Sequence, residues 1–173
     1  ILIILFFFIF PNKSFGLIEV DITRGNLNPL PIAISSLSSD SSTKNELSKS
    51  LNVQDVGLEI SKVIENNFRQ SGLFNPLNKD SFLQKPDIAH LKPRFEDWSL
   101  IKAQALITGK VTYSEDKLRV EFRLWDVLAA KEMMALAFTT VPKNWRRVGH
   151  IISDKVYERL TGEKGYFDTR IIY

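Results

Sequence analysis

Trp145, Val148, Ile152 and Val156 recur at spacings of three, four and four, with Ile151 and Leu160 on the flanks, and this stripe limits the fold more than any other feature of the chain. Such spacing puts the apolar side chains on one face of an α-helix, and that face must pack on another layer. Pro142 stands just before the stripe, where its missing N–H is tolerated. Gly162 follows Thr161, where glycine takes the left-handed conformation that ends a helix. After Gly165, residues 166–173 form a β-rich run that predicts a strand continuing past the last residue.

The layer to pack on is legible upstream. Residues 105–113 read as a strand, Ser114, Glu115 and Asp116 as a turn. Leu118, Val120, Phe122 and Leu124 then alternate with Arg119, Glu121 and Arg123, the period of a strand with one buried and one partly wet face. After a turn at residues 128–131, residues 133–141 return as a third strand of a meander. A second amphipathic helix spans residues 53–70, with Val53, Val56, Ile60, Val63, Ile64 and Phe68 on one face, and Gly72 stops it. Ile32, Ala33 and Ile34 read as a short buried strand. Residues 73–77 read as another, which Pro76 confines to a sheet edge. A further helical stretch opens at Phe95 with Trp98 and Ile101 on one face. Residues 35–51, with eight serines, are expected to form an exposed loop, and residues 78–93 to be irregular. Helices early and an antiparallel meander late predict an α/β domain, a mixed sheet with helices packed on it.

The first ten residues are all apolar. That is far short of the roughly 20 needed to span a bilayer as a helix, and it matches the apolar core of a secretory signal peptide. Ser14, Phe15 and Gly16 supply the small-residue pattern of a cleavage site, so cleavage after Gly16 is expected. The exported chain then begins with Leu17, Ile18, Glu19, Val20, Asp21, Ile22 and Thr23, in which Ile18, Val20 and Ile22 alternate with polar residues. This is strand periodicity with no sequence neighbour to pair with. The segment either adds to an edge of this domain's own sheet or to a sheet of another protein by β-strand addition.

A chain of 173 residues, 44% hydrophobic and 25% charged, suits one core. A net charge of +3 without a cluster of Lys and Arg gives no nucleic-acid footprint, and zero cysteines exclude disulfides and thiolate metal sites. His90 and His150 lie far apart with no second imidazole at metal-ligand spacing, and both read as surface or capped histidines. No phosphate loop or nucleophile elbow is present, and the acidic pairs Glu96/Asp97 and Glu115/Asp116 fall where helix starts and turns attract acids. No catalytic residue, cofactor or metal is expected.

Ser71-Gly72-Leu73-Phe74-Asn75-Pro76-Leu77, Asp97-Trp98 with Ala105 to Val111, and Glu121 to Val127 resemble the N-terminal domain of the TolB family. Most specific are Trp145-Arg146-Arg147-Val148-Gly149-His150, Ser153-Asp154, and Tyr157 through Ile171. The resemblance implies a non-enzymatic periplasmic subunit of the Tol-Pal envelope system, which supports outer-membrane integrity and invagination during division. It implies a five-stranded mixed sheet like that of anticodon-binding domains, one strand antiparallel to the rest, followed by a β-propeller. The expected organisation is a partial signal peptide over residues 1–16, a partner-binding segment over 17–27, the α/β domain over 28–162, and a linker with the start of the first propeller strand over 163–173. TolA is the implied partner of the segment from Leu17 to Thr23, and the lipoprotein Pal that of the propeller. The alternative reading is an accessory domain of an exported, propeller-containing hydrolase.

Overall fold

The computed structural model describes residues 18–20 and 28–169. Five strands form one sheet: β1 (Leu30–Ile34), β2 (Phe74–Pro76), β3 (Ala105–Ser114), β4 (Lys117–Asp126) and β5 (Lys131–Thr140), in the order β2-β1-β3-β4-β5. β1 runs parallel to β2 and β3, while β3/β4 and β4/β5 are antiparallel. β4 alone therefore opposes the other four, the mixed topology expected of the α/β class. Glu115 and Asp116 both have positive φ, 50° and 56°, the two-residue turn whose twist matches that of the strands it joins. β2 with Pro76 lies at one edge, where proline removes no interior ladder bond.

One face of the sheet is covered by α2 (Val56–Ser71) and α5 (Trp145–Thr161). Ile60, Ile64 and Phe68 of α2 meet Ile152, Val156 and Leu160 of α5 over Ile32, Ile34, Ile107, Leu118, Val120 and Phe122 in the main core. The helices come close because Gly149 has no side chain: a Cβ there would lie 2.8 Å from Val63 Cγ1. Gly72 and Gly162 end the two helices with φ of 70° and 75°. The other face carries a smaller cluster, in which Trp98 of α4 (Phe95–Leu100) and Ala89 of α3 (Pro86–Leu91) pack on Ala33, Leu106 and Val127. Buried Gln84 ties down the segment that follows it. Its Oε1 accepts from Trp98 Nε1 (3.1 Å) and Arg94 N (2.9 Å), and its Nε2 donates to the Lys92 carbonyl (2.8 Å).

Three expectations are corrected. Residues 35–51 are not an exposed loop: Ser41–Leu51 is a helix, α1. Asp40 caps it, accepting from Thr43 N at 2.7 Å, and this bond holds the Asp40 carboxyl below its ordinary range. Leu37 and Leu47 are buried against the main core, so one narrow face anchors an otherwise polar helix. Residues 78–93 contain a 3-10 turn (Lys79–Ser81) and α3. Residues 166–169 are not strand; the backbone turns back along α5, where Asp154 accepts from Phe167 N (2.7 Å) and Asp168 N (3.1 Å). Arg147 grips Asp168 through Nε and Nη2 at 3.0 Å, and Phe167 sits among Phe68, Tyr157 and Tyr166.

Candidate partner-binding segment

Of the seven residues singled out near the N-terminus, Ile18, Glu19 and Val20 are described, and Leu17, Asp21, Ile22 and Thr23 lie outside the described residues. The three are not in a strand. Val20 N–H donates to the Leu160 carbonyl at 2.7 Å, one of the last carbonyls of α5, which have no partner inside the helix. Ile18 N–H donates to Asp126 Oδ2 at 3.3 Å. Asp126 is buried at the end of β4, and its Oδ1 accepts from Ala129 N at 2.8 Å, so the carboxylate serves the turn and the segment together.

The alternation seen in the sequence governs the side chains. Ile18 and Val20 are half-buried against the main core, and Glu19 is exposed. Beside them a cavity of about 710 Å³ is lined by Ile18, Glu19, Met134, Lys155, Glu158, Arg159 and Gly162. Lys155 pairs with Glu158 at 2.9 Å, and Arg159 Nε donates to the Met133 carbonyl at 3.5 Å. Sequence reasoning missed Asp126 and the Leu160 carbonyl. The Asp-Val-Leu-Ala run after a strand marks an Asx turn, but the second lone pair has no signature in sequence.

Catalytic groups do not converge here. Asn67 Nδ2 lies 2.8 Å from Ser153 Oγ and 3.0 Å from His150 Nδ1, so the amide bridges the serine and the imidazole and clamps α2 to α5. Ser153 Oγ donates to the Gly149 carbonyl at 2.9 Å and is not aimed at the histidine as a nucleophile would be. His90 departs from expectation: it is buried between α3 and the sheet with Nδ1 unpartnered, and burial lowers its pKa. Among the described residues no three acidic or histidine side chains form a metal-sized cluster, and no helix is long and apolar enough to cross a membrane.

A family model described as the TolB amino-terminal domain matches residues 18–133. The Tol-Pal system protein TolB of Pelagibacter ubique (strain HTCC1062) is 76% identical over 167 residues, covering 96% of this chain and 37% of that protein. The crystal structure of TolB from Acinetobacter baumannii superposes with a TM-score of 0.63 at 21% identity, over 81% of this chain and 30% of that one. The present chain thus spans little more than a third of the curated relative. With the matched region reaching from Ile18 into β5 and the same sheet in a solved relative, the chain belongs to the TolB amino-terminal domain family.

Proposed function

We propose that the protein acts in the periplasm as a non-enzymatic docking subunit of the Tol-Pal system, offering Leu17, Ile18, Glu19, Val20, Asp21, Ile22 and Thr23 to TolA as an added strand. Through such contacts it helps maintain outer-membrane integrity and draw the outer membrane inward at division. Pal is assigned to the β-propeller expected beyond the α/β domain.

The observation that carries this reading is how lightly Ile18–Val20 is held. Two hydrogen bonds of about 1 kcal/mol each and two half-buried side chains, each contributing about 1 kcal/mol, stand against about 1–2 kcal/mol per residue for ordering three residues. The balance is close to zero. A partner sheet that supplies a full backbone ladder and pockets for Ile18, Val20 and Ile22 can therefore draw the segment off the domain. Relatedness supports the partner, since the 76%-identical relative is a Tol-Pal system protein.

Deleting residues 17–23 from the full-length protein and titrating it with TolA tests the assignment. Binding is lost, and the melting temperature falls by no more than a few degrees because only half-buried contacts go. Retained affinity, or an unfolded domain, overturns the reading and makes the segment a structural part of the fold.

A further inference from the structure

β5 (Lys131–Thr140) closes the sheet opposite β2, and among the described residues nothing pairs with its outer edge. Natural proteins protect such edges with charges, prolines, bulges or short length. Residues 133–141 contain no charge and no proline. The register shift in the β4/β5 ladder falls at Leu124/Trp125, which leaves the stretch from Met134 to Thr140 regular. Met134, Leu136, Phe138 and Thr140 share the α5-facing side with the core residues Leu124, Phe122, Val120 and Leu118 opposite them, yet Leu136 is 39% exposed. α5 leaves it partly uncovered.

Two cavities open between this edge and α5. One, of about 710 Å³, touches Met134, Lys155 and Arg159. The other, of about 290 Å³, touches Phe138, Thr140, Arg147 and Ile151. Arg147, Ile151, Lys155 and Arg159 follow at four-residue intervals, so a single row of α5 walls both. This region also carries a modest positive excess. Residues 131–159 hold six Lys and Arg against three Asp and Glu, an excess equal to the +3 of the whole chain. Arg147 and Lys155 are paired with Asp168 and Glu158. Arg159 reaches only a carbonyl, and Arg146 lies over the Trp145 ring at 4.7 Å.

We propose that β5 is an acceptor edge for an extended segment of a partner protein that alternates apolar and acidic side chains, adding a sixth strand to the sheet. Its apolar side chains enter beside Leu136, Phe138 and Ile151, its backbone completes the open ladder, and its carboxylates answer the excess charge of β5 and α5. A second copy of this chain is the poorer occupant, because pairing β5 with β5 about a twofold axis sets the two positive excesses against each other. Ile18 and Glu19 of the N-terminal segment border the larger cavity, but in the complex proposed for it that segment is the added strand, whereas β5 receives one.

The test uses the full-length protein and a fluorescent nonapeptide alternating Val and Glu, read by anisotropy and by amide hydrogen exchange. The Val/Glu peptide binds at least tenfold more tightly than a Val/Lys peptide and slows exchange in β5. N-methylation of alternate peptide nitrogens weakens binding at least tenfold in one register. Leu136→Glu weakens it at least tenfold, and Arg159→Ala, which gives up one 3.5 Å bond to the Met133 carbonyl of β5, about threefold. Equal affinity for the two peptides, indifference to N-methylation in both registers, or a concentration-dependent dimer that protects β5 without peptide overturns the proposal.

Discussion

Gly149 shows at the scale of one residue why local preference is a poor guide here. Alanine is better than glycine in a helix interior by about 1 kcal/mol, yet a Cβ at position 149 would stand 2.8 Å and 2.9 Å from the Val63 side chain. Overpacking outweighs propensity when the neighbour is itself buried between two helices. Gly149→Ala should therefore destabilise the domain by about 1–3 kcal/mol in urea denaturation, and a gain in stability would show that α2 and α5 can part at no cost. His90 carries a second residue-scale prediction. Burial, with Arg123 and Lys110 adding to it and Glu121 opposing it, lowers its pKa. The unfolded chain then binds a proton more readily than the folded one, so stability rises with pH and is lost as pH falls from about 6.5, the unperturbed value, toward the folded pKa. The melting temperature should drop between pH 7 and pH 5, and His90→Gln should flatten that drop. An unchanged slope in the variant would place the titrating group elsewhere.

Among the elements, α1 separates composition from structure. Its surroundings hold eight serines, and average polarity argues for a loop, but a helix needs only one buried row, which Thr43 and Leu47 supply at a four-residue interval. Leu47→Ala should destabilise the domain by about 2–5 kcal/mol; a loss within about 0.5 kcal/mol, ordinary for a surface position, would restore the loop reading. The last described residues make the converse case. Residues 166–169 include the β-forming Tyr166, Phe167 and Thr169, but Asp154, thirteen residues before Phe167, accepts from the backbone of Phe167 and Asp168 and holds them in a turn along α5. Asp154→Ala should release the Phe167 and Asp168 amides to hydrogen exchange while α5 stays protected. Unchanged protection would mean that the aromatic contacts of Phe167 hold the turn by themselves.

At the scale of the whole molecule, periodic segments were legible and non-local pairings were not. The meander, the two long helices with their glycine stops, and the edge placement of the strand with Pro76 follow from spacing and from backbone chemistry, because each is decided within about ten residues. The parallel pairing of β1 with both β2 and β3 depends on crossovers that sequence spacing does not specify. The candidate segment divides the same way. Ile18 and Val20, which alternate with polar residues in the sequence, are half-buried and Glu19 is exposed, but their holders, the Asp126 carboxylate and the Leu160 carbonyl, come from elements more than a hundred residues away and carry no local mark. Docking by one backbone bond at each of two residues, rather than by a ladder, is the observation behind the proposal that the segment becomes a strand on a partner.

Comparing Val20→Asp with Asp21→Ala in the full-length protein, by calorimetric titration with TolA, tests that claim most directly. A strand seated on a partner sheet presents alternate side chains to alternate environments. A carboxylate placed where the proposal seats Val20 in a partner pocket should weaken binding by several kcal/mol, a hundredfold or more, whereas truncating Asp21 on the wet face should change it by less than about 1 kcal/mol. Equal losses at the two positions, or a larger loss at Asp21, would contradict binding as an added strand.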